Sequence, residues 1–307
     1  MKYRRLGKTG LRVSVIGVGT WQLGGEWGKD FAQDEVDAML SRAAQLGINL
    51  IDTAECYGDH ESERLIGRAI EGNRKDWVLA TKFGHRFTER FERDFIFEPS
   101  AVEEQLEASL KALRTDYVDL YQFHSGTDEM FQTPGLWARL ARLVESGVVR
   151  HLGISISKKN ASPMQAREAS NVGAEAIQVV YNRIEREAEA EILPACLEQD
   201  LGVLARVPLA SGFLSGKYTS EDQFPETDVR GVWHTEEQRR EAIAQVEQVR
   251  KEVPEGASMA QWALAWCLRH PAVSCVIPGC KNVEQVESNA RAADLADVTT
   301  DHPHAVR

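Results

Sequence analysis

The sequence of 307 residues has only five cysteines, at positions 56, 196, 267, 275 and 280, and no Cys-x-x-Cys pair. An odd, scattered set builds neither a disulfide framework nor a zinc site, and fits reduced thiols in a cytoplasm. Basic charge is in deficit: 36 Lys and Arg face 47 Asp and Glu, for a formal charge of −11. That balance argues against a nucleic-acid partner, which wants a basic face, but leaves room for an anionic small ligand held by a few local cations. No uncharged apolar run approaches the ~20 residues that cross a bilayer. No apolar stretch follows the basic start Met1-Lys2-Tyr3-Arg4-Arg5, so it does not read as a secretion signal. Also missing is a Gly-x-Gly-x-x-Gly turn after an early strand. Gly17-Val18-Gly19 runs into Thr20-Trp21-Gln22, which breaks the fingerprint of an open dinucleotide-binding sheet.

What the sequence does contain is a repeated unit: a short β-branched run, a turn, then a stretch of helical period. Eight strands are expected, at 13–18, 48–52, 78–82, 117–123, 149–155, 177–181, 202–206 and 273–278. Each is apolar on both parities, as in strands covered on both faces of a parallel sheet. Between them lie apolar stripes such as Val36, Met39, Leu40 and Ala43, or Val102, Leu106, Leu110 and Leu113. Eight such alternations predict an α/β protein, a parallel (β/α)8 TIM barrel. Ahead of it, the runs 3–6 and 11–15 flank Gly7-Lys8-Thr9-Gly10 and predict an N-terminal β-hairpin over the barrel floor. The reading is one domain over residues 1–307, with an insertion after the seventh strand at about 213–256.

In such a barrel, polar residues at the C-terminal ends of strands are the candidates for chemistry. Asp52, Lys82 and His124 stand at or just past the ends of the second, third and fourth strands, and Tyr57 lies in the loop after Asp52. A lysine buried there needs a counter-ion, and Asp52 can supply it. A cation beside Tyr57 favours phenolate and is expected to lower the phenol pKa from its usual ~10. A nearby histidine can orient a carbonyl oxygen. Together they form a site that protonates an alkoxide as hydride reaches its carbon. The histidines at 60, 85, 151, 234 and 270 show no metal-ligand spacing, so no metal is expected. His302 and His304 are expected to be solvated in the tail.

At these residues the sequence resembles the aldo-keto reductase superfamily, in its bacterial single-domain branch with a short C-terminal tail. The matching pieces run along nearly the whole chain. They include Gly17-Val18-Gly19-Thr20-Trp21, Asp52-Thr53-Ala54 with Tyr57-Gly58, and Thr81-Lys82. Further along come Asp119-Leu120-Tyr121 with His124, Gly153-Ile154-Ser155, Pro208-Leu209-Ala210-Ser211-Gly212, and Ile277-Pro278-Gly279 with Gln285 and Asn289. The resemblance implies Asp52, Tyr57, Lys82 and His124 as the catalytic tetrad, with Tyr57 the general acid. It implies a nicotinamide cofactor, NADPH rather than NADH. Thr20 and Trp21 would lie beside it, and Asp52 near its reactive end. Ser155 and Gln178 would hold the carboxamide. Pro208, Leu209, Ser211, Gly212 and Leu214 would cover the pyrophosphate, with Lys217 adding charge. Gly279, Lys281, Gln285 and Asn289 would hold the adenosine end. Trp21, Tyr57 and His124 would face the substrate.

The chain departs from the family pattern at three places. Ile156 follows Ser155 where Asn is common, Arg206 stands where an aromatic ring often stacks on the nicotinamide, and Ser288 stands where a glutamate often meets the adenine. The implied activity is reduction of an aldehyde or ketone to an alcohol by a cytoplasmic enzyme, monomeric or weakly homo-oligomeric, without nucleic-acid, membrane or metal partners. A nicotinamide-binding, redox-sensing regulatory module is the alternative; it would show a lost tetrad residue or an added interaction segment. A barrel lyase or isomerase forming a Schiff base on Lys82 would not need the Asp52–Tyr57 pairing. The aromatic residues Trp27, Phe87, Phe91, Phe95, Phe97 and Trp233, all in predicted loops, are expected to build an apolar pocket.

Overall fold

In the computed structural model, all residues are described except 160, 220, 296–303 and 305–307. Two short antiparallel strands, β1 (Tyr3–Arg5) and β2 (Arg12–Ser14), form the N-terminal hairpin. Eight strands then pair in parallel, in the order they occur along the chain. They are β3 (Val18–Gly19), β4 (Leu50–Asp52), β5 (Val78–Phe83), β8 (Val118–His124), β9 (Val149–Ser155), β10 (Ala174–Val180), β11 (Gly202–Arg206) and β12 (Val273–Val276). Parallel bridges from Ile16 to Val276 and from Gly19 to Gly279 join the first strand region to the last, which closes the sheet into the (β/α)8 barrel. The strands 6 and 7 of chain order, β6 (His85–Glu89) and β7 (Glu92–Phe95), form a separate antiparallel hairpin in the loop after β5.

Helices α1 (Gln33–Gln45), α2 (Glu61–Ile70) and α3 (Ala101–Leu113) follow the early barrel strands. Then come α4 (Asp128–Phe131), α5 (Leu136–Glu145), α6 (Pro163–Arg167) and α7 (Ile192–Glu198). Between β11 and β12 the chain carries α8 (Val229–Trp233), α9 (Glu236–Arg250) and α10 (Met259–Leu268), and α11 (Val283–Leu295) follows β12.

Strand parity places the chemistry. Leu50, Val78, Ala80, Leu120, Ala176, Leu204, Cys275 and Ile277 pack together inside the barrel, and Leu6 and Val13 of the hairpin plug its floor. The opposite parity, including Ile51, Leu79, Tyr121, Phe123, Ile154 and Ile177, packs outward against the helices. Side chains two residues on share a face of a strand. The inward rows therefore run from Leu50 to Asp52, Ala80 to Lys82, Leu120 to Gln122 and His124, Ala176 to Gln178, and Leu204 to Arg206. Register lines these up, with Lys82 opposite Gln122, His124 opposite Ser155, and Ser155 opposite Gln178. An apolar floor thus gives way to a polar layer at the C-terminal face.

Two expectations shift. The run 13–18 does not form one strand. Arg12–Ser14 pairs back with the hairpin, and the barrel strand proper is only Val18–Gly19. Gly17 between them has no room for a side chain, since a Cβ there would lie 2.7 Å from Leu50. His304 is not solvated: it is buried, its carbonyl accepts from the Arg5 N–H at 2.7 Å, and its ring meets Ser274 Oγ at 2.7 Å. His302 lies outside the described residues.

Candidate active site

Lys82 is fully buried, and its ammonium has three oxygen partners. It donates to Asp52 Oδ2 at 2.8 Å, to the Thr53 carbonyl at 2.6 Å and to Tyr57 Oη at 3.3 Å. Burial opposes its charge, but the Asp52 carboxylate and Tyr57 outweigh that and raise its pKa. The Tyr57 loop is pinned by a close backbone crossing. Gly58 has φ +67, and a Cβ on Gly24 would lie 2.6 Å from the Tyr57 carbonyl carbon, so both positions need glycine.

The expected fall in the Tyr57 pKa is not what the geometry gives. Burial pushes the phenol up to about 12, with Lys82 pulling down and Asp52 pushing up. Desolvation of the phenolate wins over one cation whose charge is largely spent on Asp52. The phenol is therefore protonated across the neutral range, which suits a proton donor. For the carbonyl reduction that the resemblance implies, this predicts opposite pH profiles in the two directions. A step that uses the protonated phenol is expected to be flat from about pH 6 to 9, whereas one that needs the phenolate should keep rising toward a pKa of about 12. Initial rates of reduction and of alcohol oxidation across pH check this, and a reduction rate that falls through an ionisation below pH 9 contradicts it.

Asp52 is held from a second side. Its Oδ1 accepts from Gln178 Nε2 at 2.7 Å and from Gln122 Nε2 at 3.0 Å, and Gln178 also donates to Gln122 Oε1 at 3.1 Å. Ser155 donates weakly to Gln178 Oε1 at 3.4 Å. Gln122 was not singled out from sequence, yet inward parity between Leu120 and His124 marks it. His124 is buried, its ring edge-on to Tyr57 at 6.1 Å. Burial, then the cations Lys82, Arg93 and Arg206, hold its pKa well below the usual histidine range, so the imidazole is neutral.

A cleft opens over this layer. Of the sequence-predicted residues it brings together Thr20, Trp21, Asp52, Tyr57, Gln178, Arg206, Pro208, Leu209, Ser211, Gly212, Lys217, Gly279, Lys281, Gln285 and Asn289. Lys82, His124 and Ser155 are not among the residues that line it, although His124 keeps 8% of its surface exposed. Leu214 is fully buried and packs with Ala210, Phe213 and Trp262, so its side chain turns away from the cleft. Arg206 donates to the Ile156 carbonyl at 3.0 Å, while its Nε is buried without a partner. At the far end Lys281 donates to the Trp27 carbonyl at 2.6 Å, and its backbone N–H donates to Gln285 at 2.8 Å. Arg230, which no sequence signal marked, also lines the cleft, paired to Asp228 at 2.6 Å and to Tyr218 at 2.7 Å.

The aromatic pocket forms in part. Trp27 and Trp233 gather on Trp21, with ring centroids at 5.1 and 5.4 Å, and Trp21 stacks toward Tyr57 at 6.1 Å. Glu26, buried, accepts from Trp21 Nε1 and from Arg93 at 2.6 Å, which fixes the indole. Phe97 instead joins the core against Phe83 and Phe123, its ring filling the space that a Cβ on Gly84 or Gly126 would need.

Known proteins resemble the chain along its length. A sequence model of the Aldo/keto reductase family matches residues 15–305. An uncharacterised oxidoreductase of Bacillus subtilis, YqkF, is 32% identical, covering 100% of this chain and 96% of its own. The aldo-keto reductase yakc [NADP(+)] of Schizosaccharomyces pombe is 32% identical over 94% of this chain and 86% of its own. Among solved structures, aldo-keto reductase AKR11C1 from Bacillus halodurans, in a holo form, superposes with TM-score 0.80 at 28% identity, covering 98% of this chain and 94% of that one. The glycerol dehydrogenase AKR11B4 from Gluconobacter oxydans gives TM-score 0.79 at 27% identity, covering 100% and 98%.

Proposed function

Since the chain belongs to the aldo/keto reductase family and is an oxidoreductase, we propose that it is an NADPH-dependent reductase of aldehydes or ketones with Tyr57 as general acid. The observation that carries this is the Lys82 ammonium set between Asp52 Oδ2 and Tyr57 Oη, at 2.8 and 3.3 Å, under the wall of a cleft. The residues present suit a dinucleotide. In a protein of formal charge −11, three cations, Lys217, Arg230 and Lys281, face one cleft. At its other end, the orphaned Arg206 Nε awaits an acceptor. Ser155, Gln178 and Arg206 would hold the nicotinamide end. Thr20 and the 208–212 loop would hold the middle. Lys217, Gly279, Lys281, Gln285 and Asn289 would hold the phosphates and adenosine.

When bound, NADPH supplies hydride to the carbonyl carbon. Tyr57 Oη gives its proton to the carbonyl oxygen, and Lys82 stabilises the phenolate that remains. Asp52, braced by Gln122 and Gln178, keeps Lys82 charged and in place. Neutral His124 orients the carbonyl without competing as an acid. The Trp21, Trp27 and Trp233 wall favours apolar or aromatic carbonyls. Trp233, half-exposed at the rim, is the side chain to truncate. In Trp233→Ala, KM for an aromatic aldehyde is expected to rise several-fold with kcat little changed; an unchanged KM contradicts that wall. The reading places the enzyme in the cytoplasm, where its five free, buried thiols stay reduced, as a monomer or weak homo-oligomer. It takes residues 1–307 as one domain with 213–256 inserted.

Preference for NADPH is assigned to Lys281. The Trp27 carbonyl takes one of its ammonium protons, leaving two for a 2′-phosphate. Burial and the neighbouring Arg230 lower its pKa, a sign of a cation short of anions. A charge-assisted contact is worth roughly 1.5–3 kcal/mol, about ten- to a hundredfold in affinity. In Lys281→Ala, NADPH binding followed by fluorescence titration is expected to weaken by that factor, and NADH binding to stay nearly unchanged. Equal losses would show that Lys281 only shapes the loop.

A further inference from the structure

The two oxygens of Asp52 serve different ends. Oδ2 takes the Lys82 ammonium at 2.8 Å, while Oδ1 takes two amide donors, Gln178 Nε2 at 2.7 Å and Gln122 Nε2 at 3.0 Å. An ionised carboxylate only accepts hydrogen bonds, so both glutamines must turn nitrogen, not oxygen, toward it. The second Gln178 Nε2 proton goes to Gln122 Oε1 at 3.1 Å. Both amide protons of Gln178 are thus committed, one to each neighbour. The remaining amide proton of Gln122 points to the Thr81 carbonyl at 3.5 Å. Asp52, Gln122 and Gln178 are all buried. Gln122 faces Gly153 across the β8–β9 register, and a Cβ there would lie 3.0 Å from Gln122 Cγ, so the glycine gives that side chain its room.

What the Gln178 amide has left is Oε1. Its protein partner is Ser155 Oγ, at a long 3.4 Å, and Gln178 lines the cleft. We propose that Gln122 is a positioning residue for cofactor recognition: with Asp52 Oδ1 it locks the Gln178 amide so that only Oε1 is offered to the nicotinamide carboxamide, which donates an N–H to it. The assignment rests on the dinucleotide reading above and adds which atom reads the carboxamide and what holds that atom. One carboxylate then aligns both ends of the reaction, the cofactor's ring through Gln178 and the proton donor through Lys82.

The test is binding without turnover, followed by quenching of tryptophan fluorescence, since Trp21 and Trp27 line the cleft. The probes are NADP+ and 3-acetylpyridine adenine dinucleotide phosphate, which has a methyl group in place of the carboxamide NH2. The analogue keeps an acceptor and has no N–H. An amide free to turn would donate to the acetyl oxygen and hold both dinucleotides alike; a locked one leaves Oε1 facing a methyl group. The wild-type chain is expected to bind NADP+ at least about fivefold more tightly, the lower bound for a buried acceptor deprived of its donor. In Gln178→Met that ratio is expected to fall to within about twofold of one. In Gln122→Met, NADP+ affinity and the ratio are expected to fall together, whereas a packing defect would weaken both dinucleotides equally and leave the ratio unchanged. Gln122→Glu is the conservative variant. Beside Asp52 its carboxyl stays neutral at pH 6, with one donor for Asp52 and one acceptor for Gln178, so the wild-type ratio is expected there.

A wild-type ratio near one overturns the proposal, as does an unchanged ratio in folded Gln122→Met or in Gln178→Met, while NADP+ binding stands. No binding of NADP+ overturns the dinucleotide reading and this one with it. Circular dichroism verifies folding. If Gln122→Met does not fold, Gln122→Glu decides: a ratio that matches wild type at pH 6 and falls as the introduced carboxyl ionises upholds the lock, and a ratio as flat as that of wild type up to pH 10 counts against it.

Discussion

Replacing Tyr57 with Phe is expected to lower kcat for carbonyl reduction by about 10²–10⁴-fold, the usual worth of a positioned general acid. The change deletes one oxygen. That oxygen touches Lys82 Nζ at 3.3 Å and, in the proposed mechanism, carries the proton that the alkoxide needs. The ring stays, so the stack with Trp21 and the edge contact with His124 stay. Only the transition state loses a partner, so NADPH affinity is expected to change little. Steady-state kinetics with fluorescence titration of the cofactor separates the two. A variant that keeps more than about a tenth of the rate, a loss under about 1.4 kcal/mol, would remove Tyr57 from the role.

Lys82→Met is expected to be at least as severe for kcat, and costly to the fold as well. The phenolate formed as Tyr57 gives up its proton would lie beside the Asp52 carboxylate without the intervening cation. Lys82 is what pulls the phenol pKa down against burial. Its loss therefore moves that pKa further above about 12, not back to the ordinary value. Breaking a buried ion pair from one side costs about 3–5 kcal/mol. Here Asp52 keeps two glutamine donors, so the loss should fall at the lower end. Thermal melting alongside kcat distinguishes the roles. A lowered Tm with a near-normal rate would make Lys82 a residue of the fold alone.

The barrel was legible because its strands are short β-branched runs at fairly even spacing, and the gathering of Asp52, Tyr57, Lys82 and His124 because three strand ends carry polar residues that an apolar strand does not need. The features that escaped have physical reasons. The run 13–18 looks like one strand, but the hairpin and the barrel compete for it, and the barrel keeps only Val18–Gly19. The hairpin β6–β7 alternates exposed charge with aromatic residues and turns at Phe91, which sits at φ +72. No glycine or asparagine announces that turn. The pKa of Tyr57 could not be read from its neighbours by name, because depth of burial decides the sign. Arg230 lies in the long segment between β11 and α10, where neither strand parity nor helical stripe constrains it.

The central claim is that this site moves hydride from a nicotinamide cofactor to a carbonyl carbon while Tyr57 supplies the proton. The most direct measurement is mass spectrometry of the alcohol formed from an aromatic aldehyde, with NADPH carrying deuterium at C4 on the transferred face, in ordinary water. The account predicts one deuterium per product molecule, on the carbinol carbon, in step with cofactor oxidation, and a near-complete loss of the rate at which that labelled alcohol forms in Tyr57→Phe. Cofactor oxidation without deuterium in the product, or deuterated alcohol formed by Tyr57→Phe at the wild-type rate, would contradict it.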